Sequence, residues 1–247
     1  MKKIIFVLLN CRLFERLKIE EIEKLLGCFH ARTKKFEKDA YLFMEGDEIS
    51  TMGIVITGAI HLVREDFWGN RTIIARIAAG EIFAESFACG KSARLPMSVI
   101  AAQKTEVLFI DAKKINAVCA CACAFHTKIL SNMVGELAGK NTHLVKKIQH
   151  LSQRSTRGKL ISYLSSQARD AGKSDFEIPF NREEMADFLS VDRSAMSAEL
   201  GRMKACGLLT FRKNHFTLLK KTGKDQGERI KNLSTDSHRG KAFSVGA

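Results

Sequence analysis

The spacing of hydrophobic residues divides the chain into three stretches. Residues 4–29 show the apolar faces that are typical of short helices. Between residues 34 and 111, short runs of β-branched and apolar residues alternate with turns that contain glycine. These runs cover residues 54–56, 60–63, 72–77, 98–101 and 107–110. Short strands at regular spacing predict an antiparallel β-sandwich or barrel, with a hairpin tip at residues 67–71.

A helical period begins after Asp111 and continues as far as residue 151. The apolar residues that mark it lie mostly three, four or seven positions apart and are Ile129, Met133, Leu137, Leu144, Ile148 and Leu151. A long helix with one apolar stripe needs a partner, and the same helix of a second chain supplies one. The alternatives are that the stripe packs on the chain's own N-terminal domain, or that each partner covers a different stretch.

The C-terminal part contains two short helical patterns joined by a sharp corner. Asn181 and Glu184 are spaced as a capping box before the first helix, and Asp192 is placed to cap the second. Gly207 ends the second helix, and two β-rich runs follow on either side of the basic turn 212–214. The pattern predicts a helix-turn-helix and a two-stranded wing. The alternative is a helical hairpin and a β-hairpin that serve only for packing.

Side chains on the outer face of this predicted motif are donors suited to phosphates and base edges. The candidate DNA contacts are Arg182, Asp192, Arg193, Ser194, Ser197, Arg202, Lys204, Arg212 and Lys213. The charge distribution favours the same function, since residues 1–112 carry 16 Lys and Arg against 15 Asp and Glu, whereas the rest of the chain carries 24 against 12. A basic half of this kind favours binding to a polyanion such as nucleic acid. The alternative is a basic surface that has no binding partner.

Composition limits the class of protein further. With 45% hydrophobic residues, the chain has enough apolar side chains for a packed core. The seven cysteines follow no disulfide-like spacing, and neither a secretory signal nor an apolar run of 18 residues is recognisable. We therefore expect a cytoplasmic protein without a membrane partner. No catalytic motif is visible, and His61 and Glu85 fit polar groups of a strand or pocket better than an acid–base pair. We expect no enzyme, and non-specific nucleic-acid binding is the remaining alternative.

Several segments together resemble the Crp/Fnr superfamily of bacterial transcription regulators. On the sensor side they are residues 43–47, 53–59 and 80–85, and on the DNA side they are the helix pair and residues 207–209. The resemblance implies an α+β protein with an N-terminal antiparallel, jelly-roll-like β-roll, a long dimerisation helix and a C-terminal winged helix-turn-helix. It also implies a homodimer that binds a near-palindromic operator in double-stranded DNA and recruits or blocks RNA polymerase. Many members carry an Arg at the position of Ala198 to read guanine, so a different operator is expected.

The resemblance sets the expected domain boundaries. The sensor covers residues 1–112, the dimerisation helix 113–152 and the winged helix-turn-helix 153–222, and residues 223–247 form a disordered tail. Polar residues 152–156 predict a hinge between the helix and the DNA-binding domain.

The resemblance also locates a pocket for a small-molecule effector of unknown identity. Its expected lining is Gly80, Glu81, Ile82, Phe83, Ala84, Glu85, Cys89, Arg94, Leu95 and Pro96. Members that bind cyclic AMP carry an Arg-Ser pair at the positions of Leu95 and Pro96. A leucine cannot neutralise a phosphate, a proline has no amide donor, and Arg94 lies one position early. Cyclic AMP is therefore not the expected effector.

A cysteine-rich segment predicts an alternative way of sensing. On a helix, Cys119, Cys123 and His126 share one side, where three soft ligands are able to hold a metal ion, an iron–sulfur cluster or haem, or to form a redox pair. The competing interpretation is that these small cysteines pack in a close helix contact. The tight N-terminal cysteine cluster of the iron–sulfur members is missing, because Cys11 and Cys28 stand alone. The sequence does not identify a cofactor.

Overall fold

A computed structural model describes residues 2–90, 94–116 and 124–219 of the chain. The main division between two compact units falls between Ser152 and Gln153. None of the helices in the described ranges is long and apolar enough to cross a bilayer.

The N-terminal unit begins with helical elements and continues as a β-roll, with eight strands among the residues that the structure describes. Helix α1 (Lys2–Leu9), a 3-10 turn (Arg12–Phe14) and helix α2 (Ile19–Cys28) precede the strands. The strands are β1 (Arg32–Phe36), β2 (Tyr41–Phe43), β3 (Thr51–Thr57), β4 (Ala59–Glu65), β5 (Arg71–Ala78), β6 (Ile82–Phe83), β7 (Ser98–Ala101) and β8 (Thr105–Asp111).

The strands form two four-stranded antiparallel sheets, in the orders β1-β8-β3-β6 and β2-β7-β4-β5. Apolar side chains of both sheets and of the N-terminal helices fill one core, with Phe14, Phe29 and Phe83 among its fully buried members. The predicted antiparallel sandwich is confirmed. The tip of the β4–β5 hairpin also lies at the predicted place, where the Asp66 carboxylate accepts hydrogen bonds from the amides of Trp68 and Asn70, both at 2.9 Å.

The glycines of the sensor-side segments have two different roles. Gly46, Gly58 and Gly80 have φ between +85° and +89°, so they make tight turns that favour glycine. Gly53 lies inside strand β3 and makes no turn. A Cβ atom at Gly53 would approach the Phe83 ring to 2.2 Å. This glycine is therefore required for close packing against an aromatic ring.

Three helices complete the unit, namely α3 (Glu85–Ala88), α4 (Ala112–Asn116) and α5 (Ala124–Leu151). The apolar residues predicted along the last of these helices differ in burial. Ile129 and Met133 are buried in the core of their own unit, whereas Leu137, Leu144 and Ile148 are exposed. The chain's own core therefore covers only the first stretch of α5, which agrees with the alternative that two partners cover different stretches.

The C-terminal unit is a small α+β domain. Its elements are α6 (Thr156–Ala171), β9 (Asp175–Glu177), α7 (Arg182–Leu189), α8 (Arg193–Ala205), β10 (Leu209–Arg212) and β11 (His215–Leu218). The strands pair in the antiparallel order β10-β11-β9. Leu160 and Leu164 of α6, Met196 and Leu200 of α8 and Phe216 of β11 are buried. The predicted helix pair and wing are confirmed.

Candidate nucleic-acid interface and sensor site

Side-chain caps fix both helices of the helix-turn-helix. Asn181 Oδ1 accepts hydrogen bonds from the amides of Glu183 and Glu184 at 2.9 and 3.0 Å, and Glu184 Oε2 accepts from the Asn181 amide at 2.8 Å. This is the predicted capping box. Asp192 Oδ1 accepts from the Ala195 amide at 2.7 Å and from the Ser194 hydroxyl at 2.5 Å. These hydrogen bonds, with that of Ser194 the strongest, lower the pKa of Asp192 below its ordinary value.

The Asp192 cap gives a first prediction about stability. We expect Asp192→Ala to lower the free energy of unfolding by about 1 kcal/mol, because the Ala195 amide at the start of α8 and the Ser194 hydroxyl lose their acceptor. Asp192→Asn retains an oxygen at the same place and is the matched control. Urea unfolding of both variants checks this. Equal unfolding midpoints for the alanine and asparagine variants would show that the carboxylate is not a cap.

Helix α8 presents a face of small side chains to solvent. Met196, Leu200 and Met203 are buried, and the exposed positions include Ser194, Ser197, Ala198 and Gly201. Ala195, in the first turn of the helix, is exposed as well. Small residues along this face leave the backbone of α8 open to close approach by a large partner.

Two arginines near this face differ in how they are held. Arg193, at the first position of α8, is exposed, and its guanidinium makes no hydrogen bond or ion pair with any described residue. Arg202 is held by the buried carboxylate of Glu199, with Nε at 2.7 Å and Nη2 at 2.5 Å from Oε2. Arg157 of helix α6 binds the other oxygen of Glu199 at 3.2 Å. Glu199 therefore orients Arg202 and ties α8 to α6.

The wing carries exposed cations at its tip. Arg212 and Lys213 are exposed, and Lys213 has φ +54° in the two-residue turn between β10 and β11. Asn214 braces this turn, because Nδ2 donates to Glu177 Oε1 at 2.6 Å. Lys204 of α8 lies over the Phe211 ring of the wing at 5.6 Å from the centroid. The wing tip and the end of α8 thus form one positively charged border.

Arg182 has a different position from the other predicted DNA contacts. Its guanidinium lies over the rings of Phe211 and Phe216, at 4.6 and 4.9 Å from the centroids. Burial lowers its pKa, and Nη2 is buried without a hydrogen-bond partner among the described residues. Packing of helix α7 on the wing accounts for this arginine, and its contact with DNA stays a prediction.

In the sensor, residues 80–85, one of the segments that carry the resemblance and here called the cassette, adopt a sharp turn. Ala84 has φ +65°, a left-handed conformation that favours glycine. Glu85 follows and its side chain is only 4% exposed. Its Oε1 lies 2.8 Å from Nζ of Lys140 in helix α5, and Lys140 also donates to the carbonyl oxygen of Ile82 at 2.7 Å. The cassette is therefore bound directly to the long helix.

The positions that replace the Arg-Ser pair are held by other contacts. Leu95 is buried, and its amide and carbonyl bond Asp47 and Gly46 at 3.0 and 2.8 Å. Arg94 is exposed and pairs with Glu48 at 3.0 Å. The guanidinium of Arg94 is already paired and Leu95 carries no charge. The described part of this loop therefore contains no substitute for the phosphate-binding arginine. Pro96 is exposed.

The remaining predicted pocket residues lie around the same turn. Ile82 and Phe83 are buried in strand β6, and Glu81 accepts a hydrogen bond from the Ala78 amide at 2.6 Å next to Gly80. Cys89 is half-buried, and burial together with the charge of Glu85 raises its pKa. A raised thiol pKa disfavours the thiolate, so a role in lining the pocket suits Cys89 better than nucleophilic reactivity.

His61 of strand β4 is buried in the second sheet, opposite Arg76 and Ile100. Burial, followed by the charges of Arg76 and Arg71, lowers its pKa to about 4. The unfolded chain therefore binds a proton between pH 6.5 and 4 that the folded protein does not bind. Stability is lost as the pH falls through this window, by about 3 kcal/mol.

A substitution of His61 tests this acid sensitivity. His61→Gln has no ionisable group, so we expect its free energy of unfolding to fall less steeply than that of the wild type from pH 6.5 to 4. His143→Gln, which removes an exposed histidine of α5, should retain the wild-type slope. Urea unfolding at several pH values checks both, and identical slopes for His61→Gln and the wild type would contradict the assignment.

The predicted metal or redox cluster cannot be placed. Cys119 and Cys123 lie outside the described residues, and His126 belongs to α5 but its side chain is not described. Among the described residues, no group of three or more His, Cys, Asp or Glu side chains is arranged to hold a metal ion. The cluster stays a prediction.

Sequence reasoning missed the lysines that attach α5 to the sensor. Besides Lys140, Lys147 donates to the carbonyl oxygens of Ile73 and Ile74, the second at 2.9 Å. Burial lowers the pKa of Lys147 to about 8. The signal in the sequence was their spacing of seven residues, which places both on one side of the helix, but lysines at such positions are usually solvated.

The β-roll, the helix attached to it and the capped helix pair with a basic wing define the class of protein. It is a one-component regulator in which a sensor domain is joined to a winged helix-turn-helix. A family model described as the cyclic nucleotide-binding domain matches residues 33–120, and one described as the Crp-like helix-turn-helix domain matches residues 158–223. The chain belongs to the Crp/Fnr superfamily of DNA-binding transcription regulators.

Solved structures of regulators share this fold. CLP of Xanthomonas campestris, described as a c-di-GMP-responsive global regulator, is 17% identical with a TM-score of 0.68, over 83% of this chain and 100% of that one. A CooA mutant of Carboxydothermus hydrogenoformans is 21% identical (TM-score 0.65, 92% and 93% covered), and FixK2 of Bradyrhizobium japonicum is 18% identical (0.59, 88% and 99%). The search of curated proteins gave no significant match.

Proposed function

We propose that the chain is a sequence-specific, effector-switched regulator that acts in the cytoplasm and binds a near-palindromic operator as a homodimer. The observation that carries this proposal is the exposed face of α8. It combines small side chains with the guanidinium of Arg193, which has no ion-pair partner among the described residues, and with the hydroxyls of Ser194 and Ser197. Basic residues flank this face on both sides. A helix with this surface fits the major groove of DNA.

The exposed residues divide into two kinds of DNA contact. Ser197 and Arg193, on the first turns of α8, are the candidate readers of base edges, because the N-terminal turns of a recognition helix enter the groove. Arg202, Lys204, Arg212 and Lys213 form the border and are the candidate phosphate contacts. Phosphate contacts release counterions, so binding should weaken steeply with salt.

The homodimer is proposed from the exposed apolar face of α5. Leu137, Leu144 and Ile148 are exposed there although each is a large apolar side chain. Pairing with a second copy buries this face and places two recognition helices about a twofold axis, which corresponds to a near-palindromic operator. RNA polymerase is the proposed further partner of the DNA-bound dimer.

The ion pair between Glu85 and Lys140 is the proposed route from sensor to helix. A small molecule that enters next to the cassette and binds one arrangement of Glu85 more tightly shifts how α5 is held. The bonded Arg94 and the buried Leu95 support an effector other than cyclic AMP. A redox signal at the predicted cysteine cluster is the second way in which the same helix would be switched.

Selection of bound sequences from random duplex DNA tests the proposal. With the full-length chain we expect recovery of one motif with twofold symmetry, and mutation of either half-site should lower the affinity. Recovery of unrelated sequences, bound with equal affinity, would support the non-specific alternative. Calorimetry with cyclic AMP and with cyclic di-GMP, the ligand named for CLP, tests the sensor. Tight binding of cyclic AMP would contradict the proposed effector specificity.

A further inference from the structure

The exposed apolar stripe of helix α5 has one polar interruption. Its large side chains are Leu130, Val134, Leu137, Leu144 and Ile148, with exposures from 39% to 67%. Their spacing of four, three, seven and four residues is that of the a and d positions of a heptad repeat. The missing a position, four residues after Leu137 and three before Leu144, is Asn141, which is also exposed.

One flank of the stripe and the back of α5 are held by the chain's own sensor unit. Lys140 and Lys147 bind the cassette and strand β5 as described above, and Lys128 Nζ lies 3.6 Å from Glu21 Oε1. Asn132 Nδ2 donates to the carbonyl oxygens of Leu13 and Glu15 at 3.0 and 2.9 Å. These contacts fix the rotation of α5 within the unit, so the stripe faces away from the sensor.

The two asparagines of the helix differ in a way that points to a partner. The side-chain amide of Asn132 is used within the chain, whereas the side chain of Asn141 makes no hydrogen bond to any described residue. An amide buried in an apolar interface costs free energy unless a partner satisfies it. In a parallel pair of identical helices in register, two Asn141 side chains meet at the same level, and the NH₂ of one donates to the oxygen of the other.

The residues that flank the stripe offer few charged side chains that could set the register of two paired helices. Those that follow the d positions, where charged residues usually set pairing, include Ala138 and Val145, which are uncharged. On the other flank, Lys140 and Lys147 are already bonded to the sensor. A partner with a different sequence would need a polar group opposite Asn141, whereas a second copy provides one by symmetry.

We infer that Asn141 fixes the parallel, in-register, two-stranded pairing of α5. This inference rests on the homodimer of the proposed function and deepens it. A shift by one heptad would bring Asn141 opposite Val134 or Ile148 and bury both amides unsatisfied. Asn141 also follows Lys140 directly, so the turn of α5 that sets the register is the turn held by the Glu85 cassette.

Replacement of Asn141 by valine in the full-length chain tests the inference. The wild type should sediment as a single dimer. Asn141→Val should give dimers mixed with higher oligomers, because the interface loses the residue that disfavours other arrangements. Its thermal midpoint should rise by about 5 °C, since a polar residue in the seam reduces stability. Its affinity for the selected symmetric operator should fall at least tenfold, on the order of the cost of misplaced half-sites.

Thr142→Val is the matched control. Thr142 is the next residue, it lies off the stripe, and its hydroxyl bonds only within the helix, to the carbonyl oxygen of Ala138 at 3.2 Å. We expect this variant to remain a dimer with wild-type affinity. A homogeneous Asn141→Val dimer with the operator affinity of Thr142→Val would overturn the role of Asn141 but leave the homodimeric regulator intact. A monomeric wild type would overturn both.

Discussion

Replacing Arg193 with alanine is expected to lower the affinity for the selected operator by roughly 5- to 150-fold, the range for loss of one specific contact of 1–3 kcal/mol. The guanidinium stands at the start of α8, is exposed, and is not engaged by any described residue. Its removal costs the fold little and takes away a donor from the groove-facing turn. Fluorescence anisotropy with the labelled operator measures the change.

The matched control is Arg169→Ala, which removes an equally exposed arginine from the end of α6. It should bind within about twofold of the wild type, since α6 does not belong to the helix-turn-helix face. Ser197→Ala should then separate the two kinds of contact. If Ser197 reads a base, the variant tolerates substitutions at one operator position, whereas a phosphate contact weakens all sequences alike. Equal affinities of Arg193→Ala and Arg169→Ala would remove Arg193 from the interface.

Replacing Lys140 with methionine should destabilise the sensor by about 3–5 kcal/mol, the largest change in stability that we expect. The substitution keeps most of the side-chain volume but leaves the carboxylate of Glu85 buried without its cation. Glu85 is 4% exposed and its second oxygen already lacks a hydrogen-bond partner among the described residues. Urea unfolding at pH 7 measures the loss.

A second substitution distinguishes the charge from the packing of Lys140. Glu85→Gln in the Lys140→Met background removes the unpaired charge, so the double variant should regain much of the lost stability. Recovery shows that the ion pair, and not the lysine stem, connects the cassette to α5. If Lys140→Met unfolds at the wild-type urea concentration, or if Glu85→Gln gives no recovery, the pair does not couple sensor and helix.

The sequence predicted the elements in which local chemistry determines structure. Asn181 and Glu184 satisfy each other's backbone amides over three residues, so their pattern is visible without tertiary information. The short apolar runs of β3 and β4, which alternate with glycine-containing turns, similarly predicted the sandwich. Gly207, with φ +64°, ends α8 as its position indicated. The recognition helix could therefore be located from sequence, together with most of its exposed residues.

Contacts between distant parts of the chain were not predictable. Glu85 and Lys140 are 55 positions apart, and neither has a neighbouring residue that marks it as half of an ion pair. Arg182 stacks on the wing rings because β10 and β11 fold back over α7, which its basic character did not indicate. The apolar periodicity of α5 indicated that the helix needs a partner. Only the structure shows that Ile129 is buried in the chain's own core and that Ile148 is exposed.

Competition between the selected operator and a scrambled duplex of equal length tests the central claim most directly. The wild-type chain should prefer the operator by roughly a thousandfold or more at 150 mM salt, because base readers on α8 add to the phosphate contacts. Its affinity for both duplexes should fall with rising salt. Equal affinity for operator and scrambled DNA would contradict the account and show that the basic domain binds DNA by charge alone.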